Sequence, residues 1–155
     1  MKEVAQRFEA EYLKDAAGLN CKKPTVQPRA TEHIQQILDI AARAGRKVAV
    51  CGRSMEKISR VATELGYLKD TGKVMIDISE IRRYARSQLI IVSTGSQGET
   101  MSALYRMAYG SHKQVEVNAG DRILIAASAI PGNEHSIGNV INELYRKGAE
   151  VIYDK

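Results

Sequence analysis

The feature that most limits the folds open to this chain is an alternation. Short apolar runs, each closed by a turn rich in Gly or Ser, are followed by stretches with helical periodicity. The pattern is clearest from Arg46 onward. "KVAVCG" (47–52) is a short run suited to a buried strand, and Ser54 behind it reads as the cap of a helix over 55–65. "KVMIDIS" (73–79) reads as strand or extended chain, with "SEIRRYA" as a helical turn. "QLIIVSTG" (88–95) is the next strand and 99–108 the next helix. "KQVEVNAGDRILIAAS" predicts a polar edge strand, a turn at 118–121 and a buried strand over 122–127. A helix after Pro131 then carries Ile137, Val140, Ile141 and Leu144 on one face and stops at Gly148, before a last strand over 149–154. Strands alternating with helices in this way predict an α/β fold: a single doubly wound, mainly parallel sheet flanked by helices.

The first part of the chain differs. Residues 2–17 set Val4, Phe8, Tyr12 and Leu13 at helical spacing. "NCKKPTVQPRAT" (20–31), with two prolines and several cations, reads as a connector. Thr31 is the predicted cap of a helix that ends at Gly45. The expected organisation is an N-terminal helix and connector over 1–29 and an α/β domain over 30–155. The last strand closes the chain, which suits a domain separated from a larger protein.

With 155 residues the chain supports one core. No apolar run approaches the roughly 20 residues needed to span a bilayer, so no membrane partner is expected. Cys21 and Cys51 are too few for a disulfide framework and suit a reducing, cytoplasmic setting. The formal charge of +5 favours an anionic partner. An aromatic content of 5% with no Trp argues against a base-stacking platform, which leaves phosphate contacts as the mode if the anionic partner is a nucleic acid.

In open α/β sheets ligands gather where strands end and helices begin. Three such junctions carry polar chemistry: Gly52-Arg53-Ser54; Ser93-Thr94-Gly95-Ser96-Gln97-Gly98 with Glu99; and Ser128 with Pro131-Gly132-Asn133-Glu134. Small residues let backbone N–H groups approach an anion, and a helix start adds positive potential. The middle junction is neither a Walker A loop nor a dinucleotide fingerprint. It has the makings of a phosphate cradle, although a bare Gly-rich turn between strand and helix is more often just a tight turn. Glu99 fits either a site acid or a favourable charge in a helix's first turn. His33, His112 and His135 are spread apart and match no metal motif, and Arg82, Arg83 and Arg86 read as a solvated face. No metal ligand set is expected.

Taken together, "GRKVAVCGRSMEK", "LGYL", "STGSQGETMSALYRMAYGSHKQVEVNAGDRILIAASAIPGNE" and "VINELYRKGAEVIYD" closely resemble the β-CASP domain of bacterial ribonuclease J, over roughly residues 30–154. That resemblance implies RNA processing and decay by a zinc-dependent exo- and endoribonuclease. In that family the β-CASP domain clamps RNA over a two-zinc metallo-β-lactamase domain. Glu99 matches the family's first acidic motif, and the three junctions match its cleft-side loops. The family's H-x-H-x-D-H motif and later histidine motifs are absent here, as is an apolar strand before the helix at 31–44. The expectation is therefore an RNA-clamping domain, inactive alone and without a cofactor of its own, that partners RNA and a metallo-β-lactamase domain in cis or in trans. In that reading Arg53, Ser54, Ser96 and Gln97 donate to RNA. The alternative is an interaction module without nucleic-acid function, docking as a homodimer or on a separate metallo-β-lactamase chain.

Overall fold

A computed structural model describes residues 2–19, 30–70 and 73–153. The connector over 20–29, with Cys21, falls outside them. Valines and isoleucines in short runs fit a pleated surface buried on both faces, and these runs are the strands. The order is α1 (Lys2–Gly18), α2 (Ala30–Arg43), β1 (Lys47–Cys51), α3 (Arg53–Glu64), β2 (Met75–Ile76), β3 (Leu89–Ser93), α4 (Ala103–Ala108), β4 (Arg122–Ile125), α5 (Glu134–Arg146) and β5 (Glu150–Tyr153). Two 3₁₀ turns, Ile78–Arg83 and Arg86–Gln88, link β2 to β3.

All strand pairs are parallel and helices flank them, as the alternation predicts. The sheet is not continuous, however. β1 lies between β2 and β3, in register from Lys47 opposite Leu89 to Cys51 opposite Ser93. β4 and β5 form a separate pair, with Arg122 opposite Glu150 and Ile125 opposite Tyr153. The expected parallel α/β sheet flanked by helices is thus present, with its hydrogen-bonded pairing falling in two parallel segments.

One core joins them. Cys51, Leu104, Met107, Ala108, Ile125, Val140, Leu144 and Val151 are buried together, with Ile91 packed against them. On the opposite face of the three-stranded segment, Leu38 and Ala41 of α2 meet Val48 and Val74, with Ile90 and Val92 alongside. The alternation of Ile90, Ile91 and Val92 between two clusters is the pleat of β3. α3 packs beside α2 through Ala62 and Ile34. On α1, Phe8 and Tyr12 are exposed, so its expected apolar face is uncovered at these positions. Among the described residues no helix is long and apolar enough to cross a membrane.

Several boundaries differ from expectation for local reasons. α2 starts at Ala30, one residue before the predicted cap Thr31. α3 starts at Arg53 behind Gly52, so Ser54 sits in its first turn and no side chain caps it. Instead the Gly52 N–H donates to Glu56 Oε1 at 3.1 Å. α4 starts at Ala103, because Ser102 takes the cap and accepts from the Tyr105 N–H at 3.2 Å. Glu99 therefore lies in the loop, outside any helical first turn. Asp77 accepts from the Ser79 N–H and turns the chain into a 3₁₀ helix, which shortens β2 to two residues. The predicted edge strand at 113–118 is absent. Its Gln114 and Val115 N–H groups donate to His112 Nδ1 instead of to a neighbouring strand.

Candidate nucleic-acid interface

The C-terminal ends of β1, β3 and β4 lead into the three junctions selected from the sequence, and side-chain chemistry ties these junctions into one surface. Gly52 ends β1 with φ of 114°, and a Cβ there would lie 2.6 Å from Thr94 Oγ1. Only a residue without Cβ lets the first junction close on the second. The Thr94 N–H in turn donates to the Cys51 carbonyl at 3.4 Å.

The second junction is seated on the third by Gly98. A Cβ on Gly98 would meet the backbone carbon of Ser136 at 2.6 Å, so the loop lies directly on the first turn of α5. Beside it, Gln97 Nε2 donates to the Ser128 carbonyl at 3.0 Å. Gln97 Oε1 accepts from the Ile130 N–H at 2.9 Å and from Asn133 Nδ2 at 3.4 Å. This carboxamide is committed to the protein, which makes Gln97 a brace between loops rather than a free donor.

Most of the remaining residues have defined places. Arg53 and Ser54 are exposed at the start of α3. The N–H groups of Arg53, Ser54 and Met55 have no partner among the described residues. Ser93, Thr94 and Ser96 are half-buried, and Gly95 is buried. The amides that would make a phosphate cradle at α4 are already engaged: Leu104 N–H donates to the Thr94 carbonyl and Tyr105 N–H to Ser102. Ser128 is exposed and contributes its carbonyl to Gln97. Glu134 turns back to accept from the Gly132 N–H at 2.8 Å, which stiffens its own loop. Asn133 precedes α5 as its cap residue. Glu99 is exposed. Among the described residues, no three His, Cys, Asp or Glu side chains are grouped to hold a metal ion. The described residues therefore offer no ligand set for a two-zinc centre.

Beneath this surface lies a contact that the sequence reading missed. Cys51 Sγ and His112 Nε2 are 3.1 Å apart. Because Nδ1 of His112 accepts two backbone N–H groups, the neutral ring carries its proton on Nε2, facing the sulfur. Burial holds the Cys51 thiol above its usual range; Glu56 adds to this and Arg106 opposes it. Burial, helped by Arg106, holds His112 below its usual range. Both directions favour neutral groups, so the pair is an N–H···S hydrogen bond and not a thiolate–imidazolium nucleophile. The residues are 61 apart in sequence, and no spacing rule brings them together.

The model of the β-CASP domain of ribonuclease J matches residues 28–144. Ribonuclease J of Helicobacter pylori (strain ATCC 700392 / 26695) is 44% identical over 122 residues, which is 79% of this chain and 18% of the relative. Ribonuclease J of Mycobacterium tuberculosis (strain ATCC 25618 / H37Rv) is 43% identical over 121 residues, 78% of this chain and 22% of the relative. Ribonuclease J of Thermus thermophilus is 44% identical over 120 residues, 77% of this chain and 21% of the relative. The chain thus spans about a fifth of the length of the curated relatives it matches.

Proposed function

Since the chain belongs to the ribonuclease J β-CASP family, we propose that it is the RNA-clamping part of a ribonuclease J-like nuclease and is inactive on its own. The observation that carries this reading is the joining of three strand-end loops into one braced surface, with Arg53 and Ser54 exposed at its edge. Arg53 supplies a bidentate phosphate donor. Ser54 and Ser96 add hydroxyls, and the open N–H groups at the start of α3 add positive potential. The loop at Gly132 and Asn133 forms the far wall, held in shape by Gln97 and Glu134.

Hydrolysis needs a partner. Zinc in a companion metallo-β-lactamase domain, in cis or in trans, would supply an activated water. This chain's own part is to hold and orient RNA, and exposed Glu99 would face that companion as an orienting acid. A reducing cytoplasm is the compartment that suits this role.

Fluorescence anisotropy with a labelled single-stranded RNA over a salt series tests the reading. The expected result is weak, salt-sensitive binding, with the slope of log affinity against log salt shallower by about one for Arg53→Ala. No RNA should be cleaved. Binding indifferent to both salt and Arg53→Ala would overturn the clamp. Cleavage by the chain alone would overturn the division of labour.

A further inference from the structure

α3 carries two rows of unlike chemistry along its length. Arg53, Lys57 and Arg60 stand at i, i+4 and i+7, which places them on one face of the helix, and all three are exposed. Three other exposed arginines pair with a nearby carboxylate on their own element: Arg7 with Glu11, Arg83 with Glu80 and Arg146 with Glu143. On α3, by contrast, none of the three cations has an ion-pair partner among the described residues, although Glu56 and Glu64 flank Arg60 at helical spacing. Glu56 turns to the Gly52 N–H instead.

The second row is offset from the first by one residue. Ile58, Val61 and Leu65 repeat the spacing of a helix face and are 57%, 40% and 56% exposed, while Ser59 and Ala62 supply the buried side. Open cations beside an open apolar row match a ligand that is itself anionic along one edge and apolar along the other. The cation row also begins at the candidate interface. Arg53 heads it, directly behind Gly52, whose close approach to Thr94 joins the first junction to the second. From Arg53 to Arg60 the helix rises about 10 Å, at roughly 1.5 Å per residue. A stacked strand carries a phosphate about every 3.4 Å, so the row runs beside about three phosphates beyond the one at Arg53.

We propose that α3 is a track for single-stranded RNA running on from the clamp, with Lys57 and Arg60 on phosphates and the bases turned toward Ile58, Val61 and Leu65. The track rests on the RNA-clamp reading and adds two phosphate contacts and an apolar contact to it. The strand is single because unpaired bases offer their apolar faces, which a duplex keeps stacked inside. Glu64 takes the next position of the cation row, where its charge repels phosphate and ends the track after two turns. An acidic protein helix would match the same charge, but the continuity with Arg53 and the braced loops favours the ligand of the clamp itself.

The test uses the full chain and a labelled oligouridine of about 12 nucleotides, with anisotropy read over a salt series. Lys57→Ala combined with Arg60→Ala should weaken binding at least about fivefold and make the slope of log affinity against log salt shallower by about one to two. Arg82→Ala combined with Arg83→Ala removes the same charge from the 3₁₀ turn Ile78–Arg83, outside both rows, and should change affinity by less than about twofold. Ile58→Ser should weaken binding with the salt slope unchanged, since no charge is lost. All these positions are exposed, and thermal melts should match the unsubstituted chain. Absence of any RNA binding overturns the clamp and the track together. Binding that needs Arg53 but not Lys57 and Arg60, equal losses from the two charge-matched pairs, or indifference to Ile58→Ser overturns the track alone. So does a dimer in sedimentation velocity that Ile58→Ser dissociates, because a second copy would then cover the apolar row.

Discussion

The two sheet segments are built from similar residues but covered differently. The β2–β1–β3 segment has α2 on one face and the shared core on the other, and β1 is buried from Val48 to Cys51. The β4–β5 segment has the shared core on one face only, and its outer face shows Leu124 and Ile152. A strand's composition therefore does not settle how much it contributes to stability; what lies on each face does. The candidate interface sits across the joint between the segments, so it depends on the ties that hold them together.

The largest effect should come from the shared core. Leu144 is fully buried, and Leu144→Ala should lower unfolding free energy by about 2–5 kcal/mol through lost burial and a residual cavity. Leu124→Ala, on the bare face, should cost no more than about 0.5 kcal/mol. Urea unfolding of both variants checks the contrast. Equal losses would show that the outer face of β4 is covered after all.

Next come the ties. Gly98→Ala sets a Cβ against the backbone of Ser136 at a φ of 76°, so steric clash and backbone strain add to about 2–4 kcal/mol. Gly132→Ala has a φ of 97° but meets nothing within 4 Å, and should cost only about 1–2 kcal/mol of backbone strain. Thermal melts separate the two. A Gly98 variant as stable as the Gly132 variant would mean that the second loop is not seated on α5.

The alternation of strand and helix was legible because each strand is a compact apolar run punctuated by Gly or Ser. The break in pairing between β3 and β4 was not, since neither strand's own residues mark it. The start of α4 was misplaced because Glu99 suits a first turn in isolation, while Ser102 competes for the cap and wins it. Val115 and Val117 alternate as a strand would, but the nearby amides bind His112. At the candidate site, the three loops could be chosen because ligands gather at strand ends. The bracing role of Gln97 could not, because its partners lie 31 to 36 residues away.

A smaller effect concerns His112, which ties Cys51 at the end of β1 to the stretch leading toward β4. Its folded-state pKa lies below the ordinary 6.5, so the unfolded chain takes up the proton first as pH falls. Its contribution to stability is present above about pH 6.5 and is lost progressively as pH drops from there through the folded pKa. His112→Asn keeps an acceptor near the Nδ1 position and does not titrate. Denaturation midpoints for this variant should vary less with pH than those of the unsubstituted chain between pH 7 and 5. Identical profiles would show that the imidazole is already free to charge in the folded protein.

The smallest expected change tests the covered segment from within. Ser59 of α3 is buried, and its Oγ has no hydrogen-bond partner among the described residues. An unsatisfied buried hydroxyl forfeits its hydration, and its removal offsets the small packing loss of one atom. Alanine also has the higher helix propensity. Ser59→Ala should therefore leave stability unchanged or raise it by up to about 1 kcal/mol, an unusual sign for a polar deletion beside a core. A loss above about 1 kcal/mol in urea unfolding would mean that the hydroxyl is satisfied, and that this half of the molecule is less dry than its packing indicates.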